Sequence, residues 1–117
     1  MRVEDRCEGG VLVLTIKERR LDARSAPELK AKVNALIAQG FGWIVLDLAE
    51  VEFVDSSGLG AIVSGLKQLD QKGDLVISGA SEPVVNLFKL TRMDKVFRLF
   101  PATAEAVHAL DARVHRG

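Results

Sequence analysis

Asp55-Ser56-Ser57 sets a carboxylate beside two adjacent hydroxyls, and Gly58-Leu59-Gly60 follows directly. Hydroxyls in such a run can accept a phosphoryl group, cap a helix, or act as nucleophiles if a base stands near. Their surroundings narrow the choice. Upstream lie the apolar run Trp43 to Leu48 and a shorter apolar pulse, Val51 to Val54. Downstream, Leu59, Ile62, Val63, Leu66 and Leu69 recur at helical spacing. The serines therefore stand where an extended segment ends and a helix begins. A helix N-terminus presents unpaired N–H groups and the positive end of the macrodipole, which suits a phosphate held by a ligand or attached to a serine.

The plainer reading is structural. Asp55, Ser56 and Ser57 are all good N-cap residues, and the two glycines allow a tight turn. Yet a cap needs one such side chain and the turn offers three. Glycine in a helix costs about 1 kcal/mol relative to alanine, so Gly58 and Gly60 ask for a reason. Close approach of another backbone or of a phosphoryl group is such a reason.

Catalytic templates do not fit. No Lys follows Gly60 as a P-loop requires, and Val54-Asp55 stands where a nucleophile elbow needs Gly-x. The dinucleotide fingerprint is absent from this turn. The two histidines, His108 and His115, fall near the C-terminus and read as surface residues rather than a general base. The chain is expected not to be an enzyme.

The elements that must hold the serines can be traced along the chain. Arg2 to Cys7 reads as a polar edge strand, joined through Glu8-Gly9-Gly10 to the strand Val11 to Ile16, an antiparallel hairpin. Lys17 to Arg24 reads as a solvated charged loop. Ser25 then reads as an N-cap, with Pro27 in the first turn and Glu28 placed as in a capping box. Leu29, Val33, Leu36 and Ile37 share a helical face, and Gly40 suits its stop. Trp43 to Leu48 has the near-continuous apolar character of a strand covered on both faces. The helix after the serines is expected to run to about Gln71, with Gly73 ending it. Leu75 to Ser78 is a buried strand, and Ser81-Glu82-Pro83 starts a third helix. Val96 to Phe100 reads as a final strand, and Thr103 as the cap of a last helix. Strands alternating with helices predict an α/β fold: a mostly parallel sheet of four to five strands with an N-terminal antiparallel hairpin, flanked by about four helices.

At 117 residues, with 48% of them hydrophobic, the chain reads as one domain spanning 1–117 with a core of its own. Sixteen Lys and Arg balance sixteen Asp and Glu, which gives no electrostatic argument for nucleic acid or an anionic membrane. One cysteine, Cys7, excludes an intrachain disulfide, and no metal-ligand spacing is present. The polar N-terminus lacks a signal-peptide apolar region, and no apolar run approaches the ~20 residues of a membrane span. A cytoplasmic protein without a cofactor is expected.

The segment Ile44 to Leu48, then Val51 and Phe53, then Val54 to Gly60, resembles the STAS-domain anti-sigma factor antagonists of bacterial partner-switching systems. The resemblance extends to Leu21-Asp22, to Pro83-Val84 with Leu87-Phe88, and to the short final strand and helix. It implies an antagonist that captures an anti-sigma factor, itself a serine kinase of the GHKL type, and so releases a sigma factor or other target. It implies that this kinase phosphorylates Ser56 and thereby switches binding off, and that a PP2C-like phosphatase restores it. Asp22, Asp55, Ser57, Gly58, Leu59 and Gly60 are then the residues that flank the acceptor or meet the partner, with Ser57 left as cap or supporting contact. Arg19-Arg20 departs from the family pattern, which has a Gly and a small or acidic residue there. Leu59, Val63 and Leu66 either form an exposed docking patch or turn into the core, and periodicity favours the core.

Two further readings stay open on the same residues: a STAS subunit of a membrane-associated, lipid-transport type assembly, and a STAS module that binds a small ligand or nucleotide at the helix N-terminus.

Overall fold

β-branched and leucine residues alternate along Val11–Ile16, and both sides of that strand find apolar cover. In the computed structural model, which describes residues 1–115, Leu12, Leu14 and Ile16 join one core, while Val11 and Val13 join another. The central strands run β1 (Val3–Glu8), β2 (Val11–Ile16), β4 (Trp43–Asp47), β6 (Asp74–Ser78) and β7 (Leu99–Phe100), in the spatial order β1-β2-β4-β6-β7. β1 and β2 pair antiparallel around the Gly9-Gly10 turn, and the remaining neighbours are parallel. The larger core lies under α1 (Ala26–Ala38), α2 (Ser56–Leu69) and α3 (Glu82–Leu90). α4 (Thr103–Val114) covers the opposite face through Ala106 and Leu110. Sandwiching the sheet between helices is why its middle strands read as continuous apolar runs. The α/β class, hairpin, parallel sheet and four helices match expectation.

Several local expectations are corrected. Lys17 to Arg24 is not simply a solvated loop: β3 (Arg20–Leu21) pairs parallel with β5 (Phe53–Val54) in a separate two-stranded sheet. Two residues are too few to carry a period-2 pattern, so only the backbone partner specifies them. The last strand is confined to Leu99–Phe100, because β7 meets β6 only opposite Ile77 and Ser78. Residues Met93–Lys95 instead form a 3-10 turn, and Phe97 turns inward to pack edge-on against Phe88, with ring centroids 5.9 Å apart. α2 stops at Leu69, where Asp70 adopts the left-handed conformation (φ 49°) before Gly73 is reached.

Two caps also differ from expectation. Ser25 occupies the N-cap of α1 but makes no capping bond, its hydroxyl accepting from the Asp22 N–H at 3.0 Å. Glu28 pairs with the Met1 amino group rather than closing a capping box. At α4 the N-cap is Ala102; the Thr103 hydroxyl shares a 2.8 Å hydrogen bond with that of buried Ser78. A buried hydroxyl without a partner is costly, which explains the diversion.

Candidate functional site at the start of helix α2

The serines are positioned by the small β3–β5 sheet. The Arg19 carbonyl accepts from the N–H groups of Glu52 and Phe53, at 2.7 and 3.1 Å. One step further the Leu21 carbonyl accepts from Asp55 N–H at 3.1 Å. With Leu21 and Val54 buried beneath it, this ladder brings the Leu21-Asp22 segment against the first turn of α2. Gly58 is what permits the approach: a Cβ there would stand 2.3 Å from the Leu21 carbonyl oxygen, well inside contact distance. The second glycine has no such reason. A Cβ at Gly60 meets nothing within 4 Å, and the residue is exposed.

Asp55 makes the cap. Its backbone is extended and its carboxylate accepts from the Gly58 N–H at 2.9 Å. Ser57, expected to cap or support, makes no side-chain hydrogen bond to the described residues and is exposed. Ser56 is likewise exposed and free. A carboxylate outcompetes a neutral hydroxyl at this position because it also meets the positive end of the helix dipole.

The serines open onto different clefts. Ser56 borders one of about 570 Å³ with Leu59, Gly60, Val63 and Lys67 along α2. Ser57 and Gly60 border another of about 430 Å³ between α1 and α2, with Ala23, Pro27 and Lys30. Val63 and Leu66 are half-buried and Leu59 is buried, so the apolar stripe mostly serves the core and shows only its edge. Pro27, Lys30 and Lys67 were not singled out from the sequence as site residues. Their one signal would have been a place near the start of α1 or along α2, the helix that carries the serines.

Asp22 lies at the end of β3. Burial pushes its carboxyl up, but the Arg24 N–H, the Arg20 guanidinium and the Ser25 N–H outweigh this and hold it below the ordinary carboxylate value. Arg20 spans Asp22 (3.5 Å) and the face of Phe53, 4.4 Å from the ring centroid. Arg19 reaches Glu52 at 3.8 Å. The Arg19-Arg20 pair is therefore part of the platform on which the serine turn rests. Arg2, Arg20, Arg24 and Asp22 also line an open cleft of about 460 Å³. The histidines stay apart: His108 is exposed, and His115 sits 3.2 Å from Asp111 on α4. Arg116, part of the basic C-terminal run, lies outside the described residues.

A doubly covered parallel sheet with an N-terminal hairpin, carrying free hydroxyls at one exposed helix start, defines a small α/β module built to present a surface. The STAS domain model matches residues 2–106. The anti-sigma-B factor antagonist of Listeria monocytogenes is 31% identical over 80 residues, covering 68% of this chain and 70% of that protein. Its counterpart in Staphylococcus epidermidis is 33% identical over 84 residues, covering 71% and 78%. The crystal structure of an anti-sigma factor antagonist from Mycobacterium paratuberculosis superposes with a TM-score of 0.85 at 26% identity, over 93% of this chain and 92% of that one. The chain belongs to the STAS domain family, among the anti-sigma factor antagonists. Among the described residues, no helix is long and apolar enough to cross a membrane.

Proposed function

We propose that this chain works in the cytoplasm as a single, non-enzymatic STAS domain that captures an anti-sigma factor. That partner is also a serine kinase of the GHKL type, and its phosphorylation of Ser56 ends the capture. One observation carries the reading: Asp55 already caps α2, which leaves the Ser56 hydroxyl exposed, unbonded and bordering a cleft. A hydroxyl spared from structural duty can be modified without unfolding its helix.

The transfer requires nothing catalytic from this chain. The Ser56 oxygen attacks the γ-phosphorus of ATP on the kinase, ADP departs, and the hydroxyl proton passes to a base of the kinase. The product carries about −1.5 to −2 charges near neutral pH. The start of α2 tolerates them, but the Asp55 carboxylate and any apolar or acidic partner surface packed there do not. A like-charge clash of a few kcal/mol weakens binding by orders of magnitude, since ~1.4 kcal/mol is tenfold. A PP2C-like phosphatase resets the switch by hydrolysis.

Two measurements test this. Incubation with a GHKL anti-sigma kinase and ATP, followed by intact mass, should add one phosphate that is lost in Ser56→Ala and retained in Ser57→Ala. Phosphate that persists in Ser56→Ala overturns the assignment. Separately, Ser56→Asp should lower kinase affinity while the far-UV spectrum stays native; undiminished binding would sink the electrostatic switch.

A further inference from the structure

Charge balances over the whole chain but is not evenly spread. Lys89, Arg92, Lys95 and Arg98 fall within residues 89–98, where Asp94 is the lone acid. The ion pairs among the described residues all form elsewhere and leave these four cations out. Two of the three large apolar side chains that stand exposed lie among them: Leu90, 84% exposed, and Val96, 49%. The third, Phe53, is roofed by Arg20. Between α3 and the edge strand β7 runs a cleft of about 500 Å³, bordered by Val85, Lys89, Val96, Arg98 and Phe100. Arg98 lies over the Phe100 ring, 4.9 Å from its centroid.

Cations on an edge strand often serve only to prevent edge-to-edge aggregation. That purpose accounts at most for Arg98, next to the start of β7, and not for Leu90 and Val96, since exposed apolar groups work against it. Singly exposed apolar residues need no explanation, but here two of them share one short segment with four unpaired cations and a concavity. We propose that the α3–β7 edge is a second docking surface, for an acidic protein segment carrying an apolar anchor. The carboxylates would meet the unpaired cations, and the anchor would enter the cleft beside β7. A lipid bilayer offers the same negative charge as a broad plane, whereas Lys89, Lys95 and Arg98 border one short concavity, which fits a single chain. The surface shares no residue with the clefts beside Ser56 and Ser57, so it goes beyond the switch and does not depend on it.

The test uses the full chain, ¹⁵N-labelled, titrated with a synthetic amphipathic peptide rich in Asp and Glu with Leu and Phe on one face. Saturable shifts confined to residues 85–100 are expected. Lys95→Glu/Arg98→Glu and, separately, Leu90→Ser should weaken binding about tenfold or more, and added salt should weaken it further. All three replaced side chains are exposed, so melting should not change. Phosphorylation at Ser56 by the kinase should also be unaffected, and its loss would contradict a separate surface. Absence of saturable binding, shifts centred elsewhere, or variants that bind like the parent overturn the proposal. Flotation with phosphatidylglycerol vesicles without any peptide binding assigns the face to lipid and overturns it equally.

Discussion

Ser56 and Ser57 share a residue type, a loop and an exposed position, and Asp55 is the side chain that frees both. A helix start needs one good acceptor, and the carboxylate takes the Gly58 N–H. The local pattern left three candidates for that duty, because all three residue types cap well. Asp22 has a different local task, accepting from Arg24 N–H and Arg20 at the end of β3. Its folded carboxyl is held below the ordinary value, so the ionised form favours the fold. The contribution is full above the unfolded value, about pH 4, and disappears as pH falls through the lower folded one. Asp22→Asn should therefore lower the urea midpoint at neutral pH, and the gap to the parent should close in acid. A gap that stays constant or widens below that range would contradict the assignment.

Between elements, the decisive contact is α2 against β3. The sequence marked Gly58 and Gly60 as equivalent oddities, since each spends helix propensity without visible return. Their environments separate them. Gly58→Ala must push a methyl into the Leu21 carbonyl and should cost roughly 1–3 kcal/mol, the range of overpacked buried sites. Gly60→Ala faces open space on a helix surface and should stabilise by up to about 1 kcal/mol. Chemical denaturation of both variants reads the contrast; equal effects would refute it. If Gly60 meets the partner, as the family resemblance implies, Gly60→Ala should also weaken capture of the kinase while stabilising the fold. Propensity alone could not divide the pair, because the clash partner lies 37 residues away (58 − 21) on a strand of two residues.

The whole molecule is held by two cores on opposite faces of one sheet, and the larger includes the fully buried Phe88 and Phe97. Phe88→Ala removes the edge-on ring contact with Phe97 and should cost about 3–5 kcal/mol in urea unfolding. A loss under 1 kcal/mol would mean that the core collapses around the gap. By itself the sequence determined the class of the fold, the parallel sheet, the hairpin and the place of the serine turn. Those rest on apolar periodicity and turn residues, which are local properties of the chain. Tertiary structure alone decided that Arg20-Leu21 and Phe53-Val54 pair, and that Phe97 turns inward instead of extending a strand. It also separated the two glycines, and made Asp55 the cap while Ser56 and Ser57 stayed free. The strand pairing, the inward ring and the glycine contrast each depend on a backbone or ring brought in from a distant stretch of chain; the Asp55 cap closes locally on Gly58, and the fold decided only which of three capping residues took that duty. The serine turn was legible as a helix start; that Asp55 caps it and leaves both hydroxyls exposed is seen only in the folded chain, where the Leu21 carbonyl also holds the Asp55 N–H.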